Sequence, residues 1–468
     1  MQRGKIHLNI LLKCLPLFFS TPVISIELKS YSTKNQNASP IDLNLEKCLK
    51  IGIQNSLDLI RQKNSIEISG FDVLRSYGNY LPNLALQFNN NYSVGTNYLT
   101  TTTPTYVNTS GIFSSFSLSS TFNIFNGFSD RSILESYIHK KNSAELTFAR
   151  AKQIISIDII QNYLQIVLDN KMMEIATQNL QEFQAREKLL NAQSNVGSKS
   201  IADLYLQQAQ TSLAESNLNS LKNKLRNDEI ILLQKLRLDY QKNYKFAEIN
   251  IDEIAADSKL GTESELVTLA LQKRPDLKSL QNLKKSFSYD IETAQSTYYP
   301  KIDFVMTATS NAAYLNDQTV NGNNVTPNNQ DPVSEQIFNN MRYIFGINFT
   351  WTLFDKLISY SNENQAKLKY TQSKIEEDED VQKITGEIRI AHGNLYLSTQ
   401  ELESSAKVLF ASKKAYQVMN GRYKVGSASF VDLITAQSAL EQAEYTRVKS
   451  LINFLLQKWN MKFVTGIL

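Results

Sequence analysis

The sequence predicts a mixed α and β chain, mostly α and internally duplicated, in which long helices alternate with four strands patterned for a transmembrane β-barrel. Three observations predict it. Phe125-Asn126-Gly127 and Val196-Gly197-Ser198 recur as Phe354-Asp355-Lys356 and Val425-Gly426-Ser427, both at an offset of 229 residues. Asp203-Leu204 and Asp432-Leu433 keep that offset, as do Gln208 and Gln437. Residues 129–195 contain neither proline nor glycine, a run of 67 residues that spans roughly 100 Å as a helix. Four stretches switch to a period of two. The repeat is far longer than that of a solenoid, so each copy is a large half-molecule.

The N-terminus reads as an export signal over 1–25. Arg3, Lys5 and His7 precede an apolar stretch at 8–19 interrupted by Lys13, and Val23-Ile24-Ser25 supplies a cleavage site. Cys14 lies in a poor setting for lipid attachment. Removal of the signal leaves Cys48 as the one cysteine, which excludes an intrachain disulfide and a cysteine zinc site. Residues 26–41 form a polar, flexible leader.

The first repeat covers 42–245. A helix runs over about 44–80, with Leu45, Leu49, Ile53, Leu57 and Ile60 on one face, and Leu81-Pro82 ends it. Leu84, Leu86, Phe88, Tyr92 and Val94 then face one way and Gln87, Asn89, Asn91 and Ser93 the other. Residues 95–111, rich in Thr, Asn and Gly, read as an exposed loop. Phe116, Leu118, Phe122 and Ile124 mark the second alternating run. The long helix 129–195 follows, then a turn at Gly197 and a return helix over about 201–238. Residues 246–262 are an irregular linker at the equator of the chain.

The second repeat covers 263–468 in the same order: a helix over about 263–297 interrupted at Pro275, Tyr299-Pro300, and an alternating run at 302–307. An Asn-rich loop is expected over 311–340. The fourth run places Met341, Tyr343, Phe345, Ile347, Phe349, Trp351 and Leu353 on one face. A helix to about 424, a turn at Gly426 and a helix over 430–464 complete the copy.

Strands of about ten residues, apolar on one face and rich in Ser, Thr and Asn on the other, suit lipid outside and water within. The same alternation suits a sheet on a soluble core, but Tyr92, Phe125, Tyr343, Trp351 and Phe354 at the strand ends resemble an interfacial aromatic girdle. The predicted membrane-facing residues are Phe88, Tyr92, Phe122, Tyr343, Phe345, Phe349 and Trp351. Four strands do not close a barrel, and an open edge is not tolerated in lipid. Several chains must therefore pool strands, and three would make a 12-stranded barrel continuous with a helical tube.

Net charge is +4 and no basic stripe is present, which gives no nucleic-acid signature. The sequence holds three histidines and none of the nucleophile-elbow, phosphate-loop or zincin motifs, so no enzyme, cofactor or metal is expected. The acidic run at 376–380 reads as a solvated helix face.

The order helix, Pro, strand, loop, strand, Phe-(Asn/Asp)-x, long helix, Val-Gly-Ser, Asp-Leu, helix resembles that of the TolC-like outer-membrane efflux proteins over about residues 42–466. The resemblance implies a homotrimer with a 12-stranded barrel in outer-membrane lipid and a periplasmic helical tunnel. It also implies a passive export duct for drug efflux or type I secretion, working with a periplasmic adaptor and an inner-membrane transporter of RND or ABC type. The alternative class is an exported coiled-coil structural or adhesin protein; a soluble periplasmic binding module is a third.

Asp203 and Asp432 each end a Ser-x-x-Asp pattern, so both suit helix capping. Threefold symmetry would also turn Asp432 into an acidic ring that favours cations. The resemblance implies that Tyr423 and Asp203 help hold the periplasmic entrance shut, with Asp432 as an entrance charge. Thr435 replaces a second acidic position and Ala428 a basic partner, which implies a weaker lock. The turns Val196-Gly197-Ser198 and Val425-Gly426-Ser427 are candidate docking points for the adaptor.

Overall fold

The computed structural model describes residues 41–100, 104–240, 242–247 and 261–468. The expected signal, the leader to residue 40 and residues 248–260 of the expected linker lie outside the described residues.

Two helices of 67 residues dominate: α3 (Ser129–Asn195) and α8 (Ile358–Lys424). Each is followed by a return helix, α4 (Ile201–Leu236) and α9 (Phe430–Val464). The single helix expected over 44–80 is two, α1 (Leu45–Asn55) and α2 (Leu57–Gly78). Ser56 breaks it. Its backbone is extended, and its hydroxyl accepts the Leu59 N–H at 3.3 Å, so it is the N-cap of α2. In the second half, α5 (Glu263–Lys273) and α6 (Pro275–Gln295) meet at Arg274. Pro275 restarts the helix at its first position, where its missing N–H costs nothing.

The strands β2 (Ala85–Thr100), β3 (Pro104–Asn126), β5 (Lys301–Val320) and β7 (Arg342–Thr350) form one antiparallel sheet in that order, with the short β6 (Asn323–Asn324) also on β5. The register unites the four alternating runs. Leu86 faces Leu118, Leu118 faces Ala308, and Ala308 faces Tyr343. One step nearer the helices, Phe122 faces Phe304 and Phe304 faces Ile347. Directly opposed residues share a face, so Phe88, Phe122, Tyr343, Phe345 and Phe349 belong to one apolar surface. Gln87, Ser117, Thr309 and Arg342 line up across the other, and there Asn123 donates to Asp303 at 3.0 Å.

Residues 95–100, 104–111 and 311–320 are strand rather than loop. β3 has 23 residues, which span roughly 75 Å, whereas a bilayer crossing needs about ten residues. Beyond the apolar band regular period-two alternation disappears and Thr, Asn, Ser and Gly are frequent, so strand composition imitates a loop. The rest of the expected Asn-rich loop holds β6 and a short helix, α7 (Val333–Asn339).

Among the described residues no helix is long and apolar enough to cross a membrane. The main hydrophobic core lies midway along α3, where Ile159, Ile160, Leu164 and Ile166 meet Leu232, Leu236, Ile384, Ile388 and Leu455. Where the expected first repeat meets the linker, β4 (Tyr244–Phe246) pairs in parallel with β1 (Ile41–Leu43). The buried Tyr163 hydroxyl holds the pair, donating to the carbonyls of Ala247 at 2.6 Å and Leu43 at 3.3 Å. Arg274, almost wholly buried, ties the same level together through Asp276 at 2.6 Å and Glu387 at 2.5 Å. These contacts form a girdle midway along α3.

Candidate functional site

The hairpin tips are built alike because the same three residue types close them. Gly197 and Gly426 have φ of 71° and 78°, the left-handed region that glycine enters without Cβ strain. Each terminates its long helix with the paired bonds of a Schellman motif. The Ser198 N–H donates to Gln193 O at 2.9 Å and Gly197 N–H to Ser194 O at 2.9 Å; in the second tip Ser427 N–H donates to Arg422 O at 2.8 Å and Gly426 N–H to Tyr423 O at 3.1 Å. The Arg422 guanidinium further donates to Ser427 O at 3.0 Å. These bonds satisfy the end carbonyls internally and push the capping valines outward: Val196 is 79% and Val425 80% exposed.

The return helices start differently. Ser429 and Asp432 form a complete capping box: Asp432 N–H donates to Ser429 Oγ at 3.1 Å, and the Asp432 carboxylate accepts from Ser429 N–H at 3.1 Å and from its hydroxyl at 2.7 Å. The Ser429 hydroxyl holds the Asp432 carboxyl below the usual carboxylate range. Ser200 caps α4 alone, through Ala202 N–H at 3.1 Å. The shared Ser-x-x-Asp pattern thus yields one capping box and one simple cap.

A small apolar cluster of Leu190, Leu204, Phe430 and Leu433 joins the hairpins just above the tips, with Tyr416, Tyr423 and Ile434 against it. Tyr423 meets Phe430 at 5.5 Å between ring centroids. From the first tip, Lys199 Nζ lies 4.2 Å over the Tyr423 ring, within cation–π range. Burial raises the Tyr423 hydroxyl above its ordinary value, and the nearby Asp203 carboxylate raises it further. That hydroxyl is buried and makes no hydrogen bond, so Asp203 and Tyr423 are neighbours without a direct bond.

A direct bond between the hairpins near the tips comes from residues that no local sequence motif singles out. Arg186 on α3 donates to the Tyr416 hydroxyl on α8 at 2.8 Å and also to Gln437 Oε1 on α9. Gln437 is visible as a repeat-matched residue, but Arg186 and Tyr416 lie 251 and 21 positions from it, outside any local pattern. The arrangement is a clasp of one cation, one phenol and one amide over an apolar plug. It links the two hairpins near their tips.

Comparison with known proteins agrees with this architecture. The family model for outer membrane efflux proteins matches residues 79–236 and 266–452. The curated outer membrane protein TolC of Salmonella enteritidis is 20% identical over 281 residues, 58% of this chain and 53% of its own length. The chain therefore spans about half the length of the curated relatives it matches. Among solved structures, the outer membrane protein VceC of Vibrio cholerae superposes with a TM-score of 0.74 at 14% identity, covering 90% of this chain and 96% of VceC. The CmeC outer membrane channel of Campylobacter jejuni gives 0.73 at 16% identity, covering 93% and 90%.

Proposed function

The chain belongs to the outer membrane efflux protein family and resides in the outer membrane with its helices in the periplasm, and from that premise we propose that it is a passive export duct. The duct is a homotrimer. Its helical hairpins lead to a periplasmic entrance, and its partners are a periplasmic adaptor and an inner-membrane transporter of RND or ABC type.

One observation carries the reading. The strands β2, β3, β5 and β7 share a single apolar face, and among the described residues the sheet they form has two free edges: β2 pairs only with β3, and β7 only with β5. Unpaired backbone groups are not tolerated in hydrocarbon. Sister copies are the simplest elements that close both edges at once, β7 of one against β2 of the next, and three copies supply twelve strands.

The entrance is gated at the tips. Tyr423, Asp203 and the Arg186 clasp hold α8 and α9 against α3 and α4, and Asp432 contributes a ring of three carboxylates. Release of the clasp lets the second hairpin swing outward. The exposed Val196 and Val425 beside Gly197, Ser198, Gly426 and Ser427 offer the adaptor paired apolar contacts. A polar-lined duct selects weakly, so both small molecules and polypeptides suit it, as in drug efflux or type I secretion.

The test is reconstitution of the detergent-extracted protein in planar bilayers. Trimers that conduct in discrete steps support the proposal. A monomer that purifies without detergent and leaves the bilayer silent sinks it.

A further inference from the structure

β7 is too short for its neighbours. It has nine residues, whereas β5 has 20 and β2 has 16. Its pairing with β5 stops at Arg342 opposite Thr309. Beyond that point, the backbone groups on the same edge of β5 are satisfied by side-chain amides instead of a strand. The Asn340 amide donates to Asn311 O at 3.1 Å. Gln336 makes a two-bond contact with Ala313, accepting its N–H at 3.0 Å and donating to its carbonyl at 2.9 Å. Gln330 repeats this at Leu315, at 2.7 and 2.8 Å. The Thr326 hydroxyl then accepts the Gln318 N–H at 2.7 Å. Residues 311, 313 and 315 continue the two-residue step of the ladder outward from 309. Segment 326–340 therefore occupies the place where a longer β7 would lie, and its amides imitate that strand.

We propose that segment 326–340 is the seam between protomers in the outer half of the barrel, and that it receives the outer half of β2 from the next copy of this chain. The inference rests on the closure of β7 against β2 described above. Nine residues of β7 cover at most nine of the sixteen in β2, so about seven at the outer end of β2 meet whatever lies outward of Arg342. That element is α7 and the chain before it. The surfaces match in character: Phe338 on α7 is 76% exposed, and Val94 and Tyr98 are large exposed side chains of the outer part of β2. The amide ladder has a second consequence. With its outer edge occupied, β5 offers no docking strand to a misregistered neighbour, so closure is confined to β7.

The test is cysteine cross-linking in outer membranes of the full-length protein, with Phe338→Cys combined in turn with Val94→Cys, Thr96→Cys and Tyr98→Cys. Cys48 is buried and gives little background. A short bismaleimide is expected to yield covalent dimers and trimers for at least one pair. The reference pairs are Tyr343→Cys with Phe88→Cys or Tyr92→Cys, which report β7 against β2. Cross-linking of a reference pair with none at residue 338 overturns the seam while the trimer reading stands. Absence of product from every pair overturns both. In a Phe338→Cys background that cross-links, Gln330→Ala with Gln336→Ala is expected to lose the product while the reference pair still reacts; retention of the product overturns the role given to the amides.

Discussion

The Arg186 guanidinium donates to the Tyr416 hydroxyl at 2.8 Å across the gap between two hairpins. The residues are 230 positions apart, and the bond is a direct polar link between α3 and α8 near the tips. A half-buried hydrogen bond from a charged donor contributes about 1–2 kcal/mol, on the order of a tenfold change in a two-state ratio. Tyr416→Phe removes the acceptor and leaves the apolar plug intact. The expected outcome is a rise of that order in open probability or in the rate of opening in planar bilayers, with an unchanged helical circular dichroism spectrum. Equal gating in wild type and variant would remove the clasp from the mechanism.

Asp432 closes the capping box of α9, and in the proposed duct it would also charge the entrance. Its carboxylate bonds to Ser429, and it stays exposed at the tip. The hydrogen bond from Ser429 depresses its pKa below the ordinary 3.8. A depressed carboxylate stabilises the fold above its unfolded value, and that contribution is lost as pH falls through the folded value. The Asp432 carboxylate therefore keeps its charge through the neutral and mildly acid range. Asp432→Asn is expected to reduce cation over anion selectivity, read as a shift in reversal potential under a salt gradient. Selectivity identical to wild type at pH 7 would count against an acidic ring.

The two junctions from sheet to long helix each use two consecutive residues in the left-handed region: Gly127 and Phe128 at φ 66°, and Lys356 and Leu357 at φ 58° and 67°. The positions correspond at the repeat offset, yet one copy has glycine and the other lysine. At Gly127 the reason is contact as well as conformation, because a Cβ there would lie 2.5 Å from Ser296 O and 2.9 Å from Tyr299 Cβ. Gly127→Ala combines overpacking with left-handed strain and is expected to cost about 2–4 kcal/mol. Lys356→Gly relieves strain but adds freedom to the unfolded chain, so its net effect stays within about 1 kcal/mol. Thermal unfolding of the detergent-extracted protein ranks the two variants.

Legibility in the sequence follows locality. The limits of α3 and α9 match the expected 129–195 and 430–464, because absence of proline and glycine, Ser caps and Val-Gly-Ser turns act within a few residues. The apolar face is readable wherever lipid would enforce alternation. Its polar continuation at 95–100, 104–111 and 311–320 is not, since water on both sides removes the constraint that writes a period of two. The break at Ser56 hides inside a continuous apolar stripe. At the tips, Asp203 and Asp432 are readable from the repeated Ser-x-x-Asp pattern and Tyr423 through family resemblance, whereas the Arg186 contact depends on how two hairpins lie together. The Gln330 and Gln336 amides sit in a segment whose composition looks like loop and whose geometry completes a sheet edge.

The girdle carries a titratable group that opposes folding at neutral pH. Asp169 on α3 is fully buried; its Oδ1 accepts from Lys224 at 2.5 Å and from Gln165 at 2.9 Å, while its Oδ2 makes no hydrogen bond. Burial, reinforced by the Asp228 carboxylate, raises its pKa to about 6 against the pull of Lys224. A carboxyl raised in the folded state binds its proton more tightly there than in the unfolded chain. Its contribution to stability is therefore complete below the unfolded value of 3.8 and is lost as pH rises through about 6. Thermal unfolding of the detergent-extracted protein should move to higher temperature as pH is lowered from about 7.5 to about 5. Asp169→Asn mimics the neutral form and should flatten that dependence, with its gain over wild type concentrated at the higher pH. Parallel pH profiles for the two proteins would show that this carboxyl is not the source.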